Sequence, residues 1–176
     1  MLQYMVPGVD GSTARGHRRF NWLWYLKAAP GEELDAVLTD RDGKRRSHSV
    51  PPGALSAEQE MRFRQTGAER ANPAFQALIE NTEDIFVQEI QDLQVPRMVF
   101  GRVLLTGDAA SIPRPHTAGS TAKAATNAVT LARVLDGETD LARALRIWQQ
   151  DQLTQGMQMS QWGIGMGNRI MGIAQH

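Results

Sequence analysis

The hydrophobic pattern changes character about halfway along the chain. Near the N-terminus, large apolar residues recur at period two. Leu2 to Val6 reads as a short strand, and Phe20, Trp22, Trp24 and Leu26, within Arg18 to Lys27, predict a second strand with one aromatic face. Pro7-Gly8 and Asp10-Gly11 mark turns between them. Glu32 to Thr39 predicts a short helix, Asp40-Arg41-Asp42-Gly43 a turn, and Lys44 to Val50 a strand broken by Pro51-Pro52-Gly53. Ser56, with Gln59 three residues on, has the form of a capping box for a helix over 57–70. Pro73 opens a further helix to about Glu80. Ile85 to Ile90 alternates again and predicts a strand that carries Gln88.

Further on, the pattern becomes one of short apolar runs and long helices. Arg102 to Thr106 predicts a strand buried on both faces, ended by Gly107-Asp108. A Pro-rich loop, Ala109 to Thr117, leads into a helix reaching about Leu135. Its apolar positions Ala124, Ala128, Leu131 and Leu135 fall on one face. Asp136-Gly137 marks its end. A last helix starts near Thr139, with Leu141, Leu145 and Trp148 aligned, and the Gly- and Met-rich stretch Gln161 to Gly172 shows no clear period. The class is α+β, in two parts, residues 1–95 and 96–176.

Composition narrows the function classes. Lysine plus arginine equals aspartate plus glutamate, which argues against a nucleic-acid surface. The basic run Lys44-Arg45-Arg46 reads as solvated. There is no cysteine, so disulfides and thiolate chemistry are excluded, in keeping with a cytoplasmic protein. No apolar run approaches the ~20 residues of a membrane span, and Met1 to Pro7 lacks the form of a signal peptide. His17, His48 and His176 have no metal-ligand spacing, so no metal is expected.

The chemistry concentrates in 101–123. A carboxylate at the end of a strand, Asp108, is acceptor-only when ionised and suits ligand hydroxyls. Gly107 lets a ligand or another backbone approach closely. The amides at a helix entry over Thr117 to Thr121 favour an electron-rich group. Ala118, Gly119 and Ala122 leave room for a flat ring against the backbone. These features describe a pocket for a polyhydroxylated chain joined to a ring that becomes anionic. The neighbouring residues leave alternatives open. His116 suits acid/base chemistry or a hydrogen-bonded structural role, and Trp22 and Trp24 suit a core as well as a substrate wall. Gln88 suits a cavity border or a solvated strand. Arg114 suits a cofactor phosphate or a surface carboxylate, the latter preferred, while Lys123 reads as a residue of a solvated helix face and the methionines near 157–171 as packing or an interface.

The segment Gly107-Asp108-Ala109, with Arg114-Pro115-His116-Thr117 and Lys123-Ala124-Ala125, resembles the second FAD-binding motif of the single-component aromatic hydroxylases typified by para-hydroxybenzoate hydroxylase. Asn21-Trp22-Leu23-Trp24-Tyr25, Leu38 to Gly43 and Ser49 to Gly53 resemble the branch of that family around 2,6-dihydroxypyridine 3-monooxygenase. The resemblance implies FAD as cofactor, NADH or NADPH as electron donor, and hydroxylation of a small hydroxylated aromatic or N-heteroaromatic ring with O2. It implies cofactor contacts from Gly107, Asp108, Ala109, Pro115, Gly119, Ser120, Thr121 and Ala122, with Asp108 on the ribityl hydroxyls and the amides of 119–122 near the flavin N1 and C2 carbonyl. It places His116 as the catalytic candidate and Trp22, Trp24 and Gln88 toward substrate. Residues 1–95 would be part of a substrate-binding β-sheet domain with helices on one face, and 96–176 the closing strand and helices of a Rossmann-like FAD domain. Ser111, Gly119-Ser120 and Asn127 depart from the common pattern, where His, Ala-Gly and Asp are expected. No Gly-x-Gly-x-x-Gly follows an opening strand, and Gly163, Gly165 and Gly167 lack a preceding strand. A fragment without the N-terminal half of the cofactor site is therefore expected, as a homodimer or beside a partner chain that supplies that half. The competing expectation is a non-catalytic truncated paralogue that acts as an oligomerising or partner-binding module.

Overall fold

The computed structural model describes residues 1–173. It divides into two compact units, Met1–Glu89 and the chain from Ile90 onward.

In the first unit, β1 (Leu2–Val6) and β2 (Arg19–Leu23) form an antiparallel ladder running from Leu2↔Leu23 to Val6↔Arg19. The sequence predicts β2 on to Lys27. It stops at Leu23 because β1 begins at the residue facing it, so Trp24 has no ladder partner. Helix α1 (Glu32–Leu38) follows, then β3 (Ser49–Val50). The capping box is present as expected: α2 (Ala57–Arg70) starts at Ser56, whose side chain accepts from Gln59 N while the Gln59 side chain takes the Ser56 amide. Helix α3 (Pro73–Glu80) is capped by Asn72. β4 (Val87–Gln88) pairs antiparallel with β3, Ser49↔Gln88 and Val50↔Val87. The expected strands over 44–50 and 85–90 are thus cut to two residues each.

The cause lies in the turn. The Asp40 carboxylate accepts from the amides of Asp42 and Lys44 and from Arg46 Nε, which winds 40–46 into a loop in place of a strand. Buried Leu38, Val50, Leu55, Ile79 and Ile85 form the core, and Trp22 and Trp24 pack against it. Arg64 seals the far end of α3 by donating to the carbonyls of Ile79 and Thr82.

The second unit holds β5 (Leu93–Gln94), β6 (Val99–Phe100), β7 (Val103–Leu104), β8 (Ser111–Ile112), α4 (Ser120–Gly137) and α5 (Leu141–Ile170). β5 pairs antiparallel with β8, and β6 with β7. The fold is α+β, as the sequence indicates, but the expected doubly buried strand over 102–106 is overturned. It is one arm of a two-residue hairpin, and Val103 is 64% exposed. Leu104 and Leu105 of this run reach the cluster of Met98, Ala110 and Trp148 and are only partly buried by it. An apolar run shows how much surface a segment offers, not how many neighbours arrive to cover it.

The expected face of α4 is also displaced. Its fully buried positions are Lys123 and Asn127, while Ala128 and Leu135 are exposed. Helix α5 begins at Asp140, whose side chain accepts from Ala142 N and Arg143 N. It runs on through the Gly- and Met-rich stretch to Ile170, burying Leu145, Trp148, Gln152, Gly156, Ser160, Gly163 and Gly167. Leu141, expected on its buried face, is exposed.

The Asp40 turn carries a pH signature. Amide hydrogen bonding, chiefly from Lys44 N, and the neighbouring Arg46 hold the Asp40 carboxyl below its ordinary 3.8, against the opposing pull of burial. A carboxylate lowered in the folded state contributes stability above its unfolded pKa, and that stability is lost as pH falls through the folded value. Asp40→Asn should therefore melt lower than the wild type at neutral pH, with the gap closing on acidification below 3.8. Thermal melts across that range measure it.

Candidate cofactor site

The site is built around Gly107. Its φ of +57° is left-handed, cheap for glycine and costly for other residues. The turn of 3-10 helix that starts there, Gly107–Ala109, is held by α4 through both polar groups of the glycine backbone. The Gly107 amide donates to Asn127 Oδ1 at 2.9 Å, and its carbonyl accepts from Lys123 Nζ at 3.0 Å. The Lys123 ammonium also donates to the Ser111 carbonyl and, at 3.2 Å, to Ser111 Oγ. An ammonium has three N–H donors, so these three acceptors satisfy it in full. Asp108 Oδ1 lies 3.6 Å from the same nitrogen, too far for a good hydrogen bond but close enough to offset its charge.

The two side chains differ sharply in exposure: Lys123 is 6% exposed and Asp108 68%. The buried cation thus anchors the turn, and the carboxylate is left facing outward. This corrects the expectation of a solvated Lys123. A buried ammonium is tolerated here because every donor is paired and a counter-charge is near. Burial pushes the Lys123 pKa down from 10.5, and Asp108 pulls it partly back up.

The same network explains Asn127. Its Nδ2 donates to Gln152 Oε1 at 2.6 Å while Oδ1 accepts from Gly107. An aspartate here would keep the acceptor and lose the donor that Gln152 uses. Trp148 Nε1 donates to the Asn127 carbonyl, tying α5 to the same point.

The second part is the entry of α4. Thr117 Oγ1 donates to the Arg114 carbonyl and accepts the Gly119 amide, so that amide is occupied internally. No side chain caps α4. The first-turn amides of Ser120, Thr121 and Ala122 have no protein acceptor among the described residues, and Thr121 and Ala122 are exposed. Ala118 has φ of +50°, a strained choice for a non-glycine residue that sets the turn into the helix. Open amides at a helix N-terminus favour electron-rich atoms, and the outward Asp108, 3.6 Å from Nζ of Lys123 in the same helix, offers an acceptor for hydroxyls. The residues present therefore fit the ribityl and pyrimidine side of a flavin. Two depressions, of about 530 and 190 Å3, lie elsewhere, one lined by residues of α2 and α3 and the other by residues of α4 and α5.

Pro115 and His116 lie in a second 3-10 turn, Pro115–Thr117, pressed on α5. Arg114 pairs with Asp92 at 3.0 Å, the carboxylate partner expected of it, and donates to Asn168 Oδ1 at 2.8 Å. The half-buried His116 ring packs on Gly167, with both ring nitrogens buried. Burial and the nearby Arg114 lower its pKa from 6.5, against Asp92, so the imidazole is neutral at pH 7. Met159 packs against Gly119. In the first unit, Trp22 Nε1 donates to Thr82 Oγ1 and Gln88 is exposed on β4. No group of three or more His, Asp or Glu side chains suited to a metal occurs among the described residues, and His176 lies outside them. Among the described residues no helix is long and apolar enough to cross a membrane.

Comparisons with known proteins identify the family. A family model described as FAD binding domain-like matches residues 1–92, just over half of the chain, and the chain belongs to that family. The 2,6-dihydroxypyridine 3-monooxygenase of Paenarthrobacter nicotinovorans is 39% identical over 156 residues, 89% of this chain and 38% of the relative. The solved structure of 2,6-dihydroxypyridine-3-hydroxylase from Arthrobacter nicotinovorans superposes with a TM-score of 0.85 at 36% identity, covering 99% of this chain and 43% of that one. HpxO of Klebsiella pneumoniae, solved with FAD and uric acid, matches with a TM-score of 0.55 at 27% identity over 68% of this chain and 32% of that one. The chain thus spans roughly two fifths of the length of these dihydroxypyridine hydroxylases. The family match lies on the first unit, whereas the Gly107 to Ala122 segment lies beyond it.

The loop that carries this site depends on glycines in α5. A Cβ at Gly163 would stand 2.9 Å from Thr117 Cγ2 and 3.3 Å from Arg114 N, while one at Gly165 would meet nothing. Gly165→Ala should stabilise by up to about 1 kcal/mol through helix propensity. Gly163→Ala should instead cost about 1–3 kcal/mol through overpacking and move the Arg114 and Thr117 amide resonances. Paired melts and amide spectra check both.

Proposed function

We propose that the chain is part of an FAD-dependent monooxygenase that hydroxylates a small hydroxylated aromatic or N-heteroaromatic ring, using NADH or NADPH and O2. The observation that carries this is the pairing of an outward carboxylate, fixed on a clamped Gly107 turn, with an uncapped helix entry lined by small residues. The likeness to the dihydroxypyridine monooxygenase, over nearly the whole chain, supports the reaction class.

The flavin, when bound, supplies the redox and oxygen chemistry. In this reading Asp108 accepts from the ribityl hydroxyls, and the amides of Ser120, Thr121 and Ala122 stabilise negative charge on the reduced ring. Gly107, Ala109, Pro115 and Gly119 shape the backbone wall beside it. His116, as a neutral imidazole, is the proton-transfer candidate, and Trp22, Trp24 and Gln88 contribute on the substrate side. The protein works in the cytoplasm as a homodimer, or with a partner chain that completes the cofactor site.

A second reading, an oligomerising module without catalysis, is favoured by the exposure of Phe100, Val103 and Trp162. Visible spectra after gel filtration with added FAD separate the two. The hydroxylase reading expects flavin bands that co-elute with the chain, and Asp108→Ala to weaken FAD binding by about tenfold or more, the size expected for losing hydrogen bonds to a charged acceptor. Flavin-free protein that elutes as a stable oligomer contradicts it.

A further inference from the structure

We infer that Lys123 is a positioning residue of the cofactor site: its buried ammonium fixes the Gly107–Ser111 turn and sets the outward carboxylate of Asp108, so flavin recognition depends on the charge of Lys123. The inference rests on the flavin reading above and adds to it a residue that contacts no cofactor atom itself.

Three observations carry it. The ammonium bridges two points of the turn, Gly107 O and both acceptors of Ser111, so one cation spans the whole segment on which Asp108 rides. Lys123 and the open amides of Ser120, Thr121 and Ala122 share the first turn of α4, so the same helix end presents both halves of the site. The exposed carboxylate lies 3.6 Å from the buried nitrogen, so its orientation is coupled to a charge that solvent barely reaches. Asp108 is the charged group acting on Lys123. The side chains that β8, α4 and α5 add to the network, Ser111, Asn127 and Gln152, are uncharged, and Asp151 of α5 is tied to Gln152 and Gln155.

The sign of the pH effect follows. Burial lowers the Lys123 pKa below 10.5, so the lysine loses its proton earlier in the alkaline range than a solvated lysine would. Affinity for a ribityl-bearing flavin should fall with that proton, whereas a flavin without the ribityl chain should be indifferent to it.

The test uses the full chain with riboflavin and with lumiflavin, which lacks the ribityl chain. Lys123→Met should weaken riboflavin binding by roughly tenfold, the scale of one charge-assisted contact, with lumiflavin binding unchanged. Lys123→Arg should recover part of the loss, and wild-type riboflavin affinity should fall as pH rises through the Lys123 titration. Equal losses for both flavins, or no loss, overturn the inference and leave the flavin reading standing. If the wild type binds neither flavin, the flavin reading falls and the inference with it. Should Lys123→Met fail to fold, Asp108→Asn serves in its place: 15Nζ or 13Cε resonances should show Lys123 titrating lower once the carboxylate is gone. An unmoved lysine titration overturns the coupling.

Discussion

A single buried ammonium organises the Gly107 turn of the second unit. Lys123 has three hydrogens to place and is only 6% exposed. It places them on Gly107 O, Ser111 O and Ser111 Oγ, and so draws a turn and a strand onto the start of α4. Asn127, one helical turn further on, takes the Gly107 amide and passes the connection to Gln152 on α5. Leaving any member unmatched in this interior costs more than the bond itself contributes. The network therefore specifies one arrangement, and in that arrangement Asp108 faces outward.

The α5 helix supports the same segment from the other side by what it lacks. Gly163 and Gly167 present bare backbone to Thr117, Arg114 and His116, so the loop before α4 can lie directly on the helix. The glycine cluster has no preceding strand, and its Gly163 and Gly167 form a packing groove inside a 30-residue helix. The helix persists through these glycines because tertiary contact outweighs their modest propensity cost of about 1 kcal/mol each.

Much of this was legible in the sequence where the signal was local. The Ser56–Gln59 capping box, the Pro73 helix start and the small-residue entry to α4 depend on neighbours a few residues away, and each stands where the pattern put it. The strands were read too long because a strand extends only as far as its partner. β2 stops where β1 begins, and the Asp40 turn consumes the amides that a longer β3 would need. Lys123 was misread for a further reason. Period and hydropathy assign a lysine to solvent, and the acceptors that bury it lie 12 and 16 residues earlier in the chain. A hint was present in the spacing: Lys123 and Asn127 stand four apart on the face next to the expected apolar one, as two polar groups serving one buried turn would.

If the flavin reading holds, the Gly107–Asp108 turn and the α4 entry form one flavin-facing surface. Mapping backbone amide shifts while the 15N-labelled chain is titrated with FAD tests it directly. Saturable shifts should cluster at Asp108, Ala109 and residues 120–122, with the Gly107 amide held by Asn127 throughout. Shifts confined to the α2 surface around Met61 and Arg64, or none at any FAD concentration, would contradict it.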